Sequence, residues 1–306
     1  MAEPVLEVSG LRKVFGPQVA VDDVSFAVAA GGSLGVVGES GSGKTTTARI
    51  IVGLEHADTG VVRIDGRDRD HVGRRARDAA AGRGRSVARS GRNAERLARS
   101  GRRAERLARA RQVQMVFQDP FLSLDPRLPI GTALTEVLRL HHPDRDHPAR
   151  VTELLDQVGL GTREAAALPR GLSGGQRQRV AIAKALAVEP RVLVLDEAVA
   201  ALDVSVQAQI LNLLADLRAE LGIAYVFITH DLGVVRCVTD EVVVMRRGAI
   251  VERGATETVL ADPSHSYTRL LLESVPGPGW DPRLITAARK ALAESESESE
   301  SELTPR

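Results

Sequence analysis

The run GESGSGKT, Gly38 to Thr45, fits the pattern G-x-x-x-x-G-K-[ST] in full. Gly38, Gly41 and Gly43 let successive backbone N–H groups turn inward around an anion, and a helix opening behind them adds the positive end of its dipole. Glu39, Ser40 and Ser42 fill the intervening positions and Thr46 continues the helix, so the stretch reads as the cradle of a nucleoside triphosphate. Lys44 would reach the β- and γ-phosphates, and Thr45 would ligate Mg²⁺. A second run, VLVLDE, puts Asp196 after four apolar residues, at the end of a strand buried on both faces. A carboxylate there can hold Mg²⁺ through water, and Glu197 beside it can polarise an attacking water. The chemistry implied is phosphoryl transfer to water, in which catalysis is mostly positioning and charge stabilisation.

A second phosphate-binding device lies in LSGGQ: Ser173, Gly174 and Gly175 precede a helix expected to run to about Ala187. The elements that must position these groups are legible as alternating patterns. VLEV, VSFAV and SLGVVG read as strands, a helix is expected from Gly43 to about Leu54, and VVRI reads as a further strand. Helical periodicity fills residues 131–187, interrupted near Pro143, Pro148 and Pro169. RVLVLDE is a strand, 204–221 a helix, AYVFITH a strand and EVVVMRRGAIVERG a hairpin-like pair. Strands alternating with helices predict an α/β sheet with its ligand site at the strand carboxyl ends.

Composition narrows the class. The 306 residues suffice for one large domain or two modest ones, and the net charge of +1 conceals an asymmetry. Arg67 to Arg111 holds sixteen arginines and five acidic residues, a charge of +11, which leaves −10 for the rest. A global "basic, hence nucleic acid" reading therefore fails. Cys237 is the only cysteine, which excludes an internal disulfide and any cysteine-cluster metal site built from this chain alone. No apolar run approaches the ~18–20 residues that cross a bilayer. MAEPVLEVSG lacks a secretory pattern, so a cytosolic-side protein is expected.

Taken together, these motifs resemble those of ATP-binding cassette (ABC) ATPases. Leu172, Ser173, Gly174, Gly175 and Gln176 match the family signature, which in a head-to-tail dimer caps the ATP held in the partner's cradle. Gln118 in VFQDP matches the Q-loop, implying an amide that senses Mg²⁺ and the attacking water. Asp203 in ALD matches the loop crossing the dimer interface, His230 matches the switch histidine at the γ-phosphate, and Phe15 stands near the place of an adenine-stacking aromatic. The implied fold is α/β: a P-loop NTPase with a RecA-like core and antiparallel β-subdomain, plus an inserted helical subdomain at about 119–187. The cassette would occupy residues 1–261, with a C-terminal family extension at 262–293. VGESGSGKTT, QMVFQDPFLSLDPR, DEAVAALDVSVQAQILNLL and DPSHSYTRLLLESVP are similar to the ATPase subunits of oligopeptide, dipeptide and nickel importers. That similarity implies ATP and Mg²⁺ as cofactors, two transmembrane permease subunits, a second ATPase subunit (identical or not), an extracytoplasmic binding protein met indirectly, and a peripheral place on the cytoplasmic face of the cell membrane. Two positions depart from the pattern: Ala200 replaces the usual serine before Ala-Leu-Asp, and Ser266 replaces the proline of a His-Pro-Tyr motif.

The arginine-rich stretch, about 67–112, reads as an insertion in a connection the family keeps short, where added length costs little. Two ten-residue units, Arg89–Ala98 and Arg99–Ala108, each end in AERLA. Gly91 and Gly101 weaken any helix there, so a solvated loop is expected. Contact with anionic lipid or with the acidic tail is the alternative. Nucleic acid is disfavoured, because no aromatic lies between Arg67 and Arg111. The rival function, a soluble ABC ATPase acting on ribosomes or nucleic acid through this insertion, lacks the paired cassettes, coiled coils or zinc cysteines such relatives carry. Residues 294–306 read as a disordered acidic tail.

Overall fold

The computed structural model describes residues 3–69, 101, 105 and 107–275. Two sheets organise the chain. The antiparallel sheet has the order β2-β1-β4-β5, formed by β1 (Pro4–Phe15), β2 (Gln18–Ala29), β4 (Thr59–Ile64) and β5 (Arg67–Asp68). The main sheet has the order β10-β9-β3-β8-β7-β6, from β3 (Ser33–Val37), β6 (Val113–Val116), β7 (Val192–Asp196), β8 (Ala224–Thr229), β9 (Glu241–Arg246) and β10 (Ala249–Ala255). β9, β3, β8, β7 and β6 run parallel to their neighbours, and β10 returns antiparallel as the expected hairpin partner of β9.

Every residue of β3, β7 and β8 is buried, as expected of parallel strands covered on both faces. β8 lies between β3 and β7, with Val37 opposite Thr229 and Asp196 opposite Ile228. The carboxyl ends of three strands distant in sequence therefore form one edge. One apolar core, including Leu6, Val36, Ile51, Val62 and Val194, joins the two sheets. A second, including Leu134, Leu138, Leu154, Ile182 and Leu211, joins the helical region to the main sheet.

Helix α1 spans Lys44–Val52, shorter than the expected Gly43 to about Leu54. Gly43 (φ 101°) and Gly53 (φ 75°) are left-handed, so neither continues the helix, and the Gly53 N–H caps the Arg49 and Ile50 carbonyls. The helical region comprises α2 (Ile130–His141), α3 (His147–Gln157), α4 (Thr162–Ala166) and α5 (Gly174–Leu186). The prolines act as punctuation. Pro143 follows the end of α2, Pro148 sits in the first turn of α3, and Pro169 opens a short 3₁₀ turn. Then follow α6 (Val204–Leu221), α7 (Leu232–Val238), α8 (Thr256–Ala261) and α9 (Ser266–Glu273).

The borders of the arginine-rich stretch differ from a free loop. Arg67 and Asp68 pair with β4, and buried Arg69 donates to the Val52 carbonyl and packs on Gly53. At the far border, residues 107–112 are helical and lead directly into β6. All of the first ten-residue unit and six residues of the second lie outside the described residues, as do 276–293 of the expected extension and the acidic tail. Among the described residues, no helix is long and apolar enough to cross a membrane.

Candidate functional site

The phosphate loop leaves the end of β3 and closes on the first turn of α1. Gly38 (φ 150°) abuts β9 so closely that a Cβ would stand 2.2 Å from the Met245 carbonyl oxygen, and one on Gly43 would stand 2.3 Å from that of Ala20. Backbone therefore demands glycine at both positions, independently of any ligand. Lys44 is buried, its Nζ donating to the Gly38 and Glu39 carbonyls at 2.7 Å each and lying 3.4 Å from Ser42 Oγ. Burial pulls the ammonium below its ordinary pKa, opposed by Glu197, Asp196 and Glu39.

Beside the loop, Thr45 Oγ1 lies 3.3 Å from Asp196 Oδ1. Asp196 is 8% exposed, and burial foremost raises its carboxyl pKa; Glu197 adds to this, while the Thr45 hydroxyl, Arg49 and Lys44 oppose it. A hydroxyl and a desolvated carboxylate are hard oxygen donors, and together they fit a small divalent cation such as Mg²⁺. Glu197 follows in the left-handed region (φ 48°), its N–H donating to the Ile228 carbonyl at 2.8 Å. A non-glycine residue held there costs of order 1–3 kcal/mol, a kind of strain that clusters at active sites. His230, just past β8, brings Nδ1 within 3.3 Å of Glu197 Oε1. Lys44, Thr45, Asp196, Glu197 and His230 thus converge on one edge of the sheet.

Leu172–Gln176 stands elsewhere, on the helical region. Ser173 caps α5 with a reciprocal box: its Oγ accepts from the Gln176 N–H at 3.2 Å, and its N–H donates to Gln176 Oε1 at 2.9 Å. Asp203 caps α6, accepting from Val206 N–H (2.9 Å) and Ser205 Oγ (2.7 Å), bonds that hold its carboxyl below the usual range. The two caps interlock, since a Cβ on Gly175 would lie 2.5 Å from Val206 Cγ1. Leu172 is buried, and its carbonyl accepts from Arg177. Among the described residues, no hydrogen bond joins Ser173–Gln176 to Lys44, Thr45 or Asp196.

Gln118 is exposed beyond β6 and lines a cavity of about 310 Å³ with Phe121, Gly174, Arg177, Ala198 and Leu202. It makes no hydrogen bond to Thr45 or Asp196 among the described residues. Phe15 ends β1 and is 46% exposed, with Lys13 Nζ 4.9 Å from its ring centre. It belongs to the hairpin whose Ala20 carbonyl abuts Gly43. Ala200, at the position of the family's serine, is exposed and donates its N–H to Glu197 O at 3.1 Å. One contact has no sequence signal at all: the Glu39 N–H, within the cradle, donates to the hydroxyl of Tyr267 at 3.0 Å.

Comparison with known proteins agrees with this geometry. The family model described as ABC transporter matches residues 21–200. A Brucella abortus protein named as a peptide import ATP-binding protein is 45% identical over 259 residues, covering 84% of this chain and 69% of the relative. The oligopeptide transport ATP-binding protein OppD of Mycobacterium tuberculosis is 43% identical, covering 88% of this chain but 39% of its own length. The glutathione import ATP-binding protein GsiA of Escherichia coli is 42% identical, with 90% and 41% covered. Among solved structures, cbiO1 of Clostridium perfringens superposes with a TM-score of 0.68 at 25% identity, covering 85% of this chain and 92% of that one. The ATP-binding cassette MJ0796, solved as a dimer bound to ADP and Pi, superposes at 0.65 and 25% identity, with 82% and 98% covered. The P-loop α/β fold expected from the motifs is that of these cassettes, and the chain belongs to the ABC transporter family as one of its ATP-binding, ATP-hydrolysing subunits.

Proposed function

We propose that the chain is the ATPase of an importer whose cargo is peptide, and that it works as one half of a head-to-tail cassette dimer on separate permease subunits at the cytoplasmic face of the membrane. The observation that carries the reading is the meeting of Lys44, Thr45, Asp196, Glu197 and His230 on one edge while Ser173, Gly174 and Gly175 stand on another region. A helix N-terminus suited to phosphate, but apart from this chain's own cradle, is what a site shared between two copies requires. The names of the 42–45% identical relatives support peptide over nickel as the cargo class.

In this reading Lys44 exchanges the Gly38 and Glu39 carbonyls for phosphate oxygens, and the loop amides stabilise charge on the transferred group. Thr45 and Asp196 would hold Mg²⁺, which would supply positive charge against the phosphates. Glu197 orients the attacking water and draws on its proton, and His230 holds Glu197 and contacts the γ-phosphate. Ser173 and the Gly174 and Gly175 amides complete the partner's site, Asp203 faces the dimer interface, and Phe15 stacks on adenine. Gln118, which lines a cavity with Gly174 and Leu202, relays nucleotide state to the permease subunits in this reading.

The test is a pull-down of tagged Glu197→Gln protein with ATP from detergent-solubilised membranes. Recovery of two permease subunits, with or without a sister ATPase, is expected. Recovery of ribosomal proteins or nucleic acid without permeases would overturn the importer reading.

A further inference from the structure

The C-terminal helix reaches the phosphate cradle. β3 ends at Val37, and Gly38 (φ 150°) turns the chain away from the sheet, so the peptide between Gly38 and Glu39 has no place in the strand ladder. It is held from both sides instead. Its carbonyl, Gly38 O, accepts from Lys44 Nζ at 2.7 Å, and its N–H, on Glu39, donates to the Tyr267 hydroxyl at 3.0 Å. A peptide group is planar, so pinning the N–H also aims the carbonyl. Tyr267 therefore sets the direction of one of the two carbonyls on which the Lys44 ammonium rests.

The tyrosine is itself held firmly. It is 1% exposed and packs in a core with Val37, Leu232, Val235, Val242 and Leu260. The Arg246 guanidinium lies 4.6 Å from the Tyr267 ring centre, and the Tyr267 backbone N–H donates to His265 Nδ1 at 3.1 Å. The segment just before it is anchored by Glu252, whose carboxylate accepts from the N–H and Oγ of Ser264 at 2.7 Å each and from the His265 N–H at 3.2 Å. A hydroxyl so fixed, 228 residues from Glu39, is a preorganised support for the cradle.

We propose that Tyr267 is a positioning residue for nucleotide binding, orienting the Gly38–Glu39 peptide and, through it, Lys44. The C-terminal segment is thereby part of the ATP site and not an appendage to the cassette. This rests on the ATPase reading above.

The experiment compares wild type, Tyr267→Phe and Leu217→Ala in the full chain, by MgATP titration, steady-state kcat and KM, and nucleotide-free thermal unfolding. Tyr267→Phe keeps the ring and removes only the hydroxyl. Leu217→Ala opens a cavity in the core under α6, beside Arg218, which donates to the Gly31 carbonyl at the end of β3 opposite the cradle. Expected for Tyr267→Phe is a rise in Kd and KM of roughly 3–10-fold, the worth of one hydrogen bond, with kcat within about twofold. Leu217→Ala should lower the unfolding midpoint at least as much and leave KM near wild type. An unchanged KM in Tyr267→Phe, or an equal rise in Leu217→Ala, would overturn the assignment. Wild-type protein that binds no MgATP would overturn the ATPase reading along with it.

Discussion

His230 Nδ1 lies 3.3 Å from Glu197 Oε1, although 33 residues separate them in the chain. The pair exists because β7 and β8 are parallel neighbours in register, Asp196 beside Ile228, so both strands deliver their next residues to one edge. Glu197 is 22% exposed and His230 59% exposed at the side chain, which puts the carboxylate inside and the imidazole at the rim. Glu197→Gln should keep ATP binding and lose turnover by about 10²–10⁴-fold, the range of general-base catalysis. His230→Ala should lower kcat by on the order of 10–100-fold through misplacement of the same group. The double variant should be little slower than Glu197→Gln alone, because residues acting as a unit are non-additive. Single-turnover hydrolysis on all three proteins checks this, and additive losses would separate the two roles.

Lys44 rests on the Gly38 and Glu39 carbonyls, and in the proposed reading it exchanges them for phosphate oxygens. Lys44→Ala removes a charge-assisted contact of about 1.5–3 kcal/mol, so the Kd for MgATP should rise at least ~10-fold. Calorimetric titration reads this directly. Near-wild-type affinity would remove Lys44 from the site.

In the proposed reading Asp196 trades stability for metal binding. Its carboxyl pKa is raised in the fold, foremost by burial. Between the unfolded and folded values the native state carries more protons, so its contribution to stability falls as pH rises through that window. Once ionised, the buried carboxylate is a cost that a bound cation offsets. Asp196→Asn should therefore raise the nucleotide-free unfolding midpoint at neutral pH while abolishing Mg²⁺-dependent hydrolysis. Thermal melts with and without Mg²⁺ and ATP test it. A lower midpoint for the variant would contradict this account.

Gly175 packs against the first turn of α6 with no room for a methyl group. Gly175→Ala would drive a Cβ into Val206, whose β-branched side chain has little rotamer freedom, at a cost of about 1–3 kcal/mol. Val206→Ala should recover much of that loss in stability. A double-mutant cycle by denaturant unfolding measures the coupling, and independence of the two sites would disprove the interlock.

The arrangement was legible wherever function rests on neighbours along the chain. GESGSGKT encodes its own cradle, because the Lys44 contacts to Gly38, Glu39 and Ser42 all close within six residues. The Ser173–Gln176 cap closes within three, and an apolar run ending in Asp196 reports a buried strand without reference to its neighbours. Strand order is a different matter. β3, β7 and β8 all read as unbroken apolar runs, and nothing in such a run says which one lies beside which. The motif resemblance supplied that for Glu197 and His230; their residue types alone did not. Tertiary structure decided the rest: the separation of Ser173 from Lys44, the packing of Gly175 on Val206, the burial of Arg69, and the reach of Tyr267 to Glu39. The physical reason is range. Turn and cap geometry is paid for locally and so is written in local spacing, whereas these contacts form only after distant elements share one core.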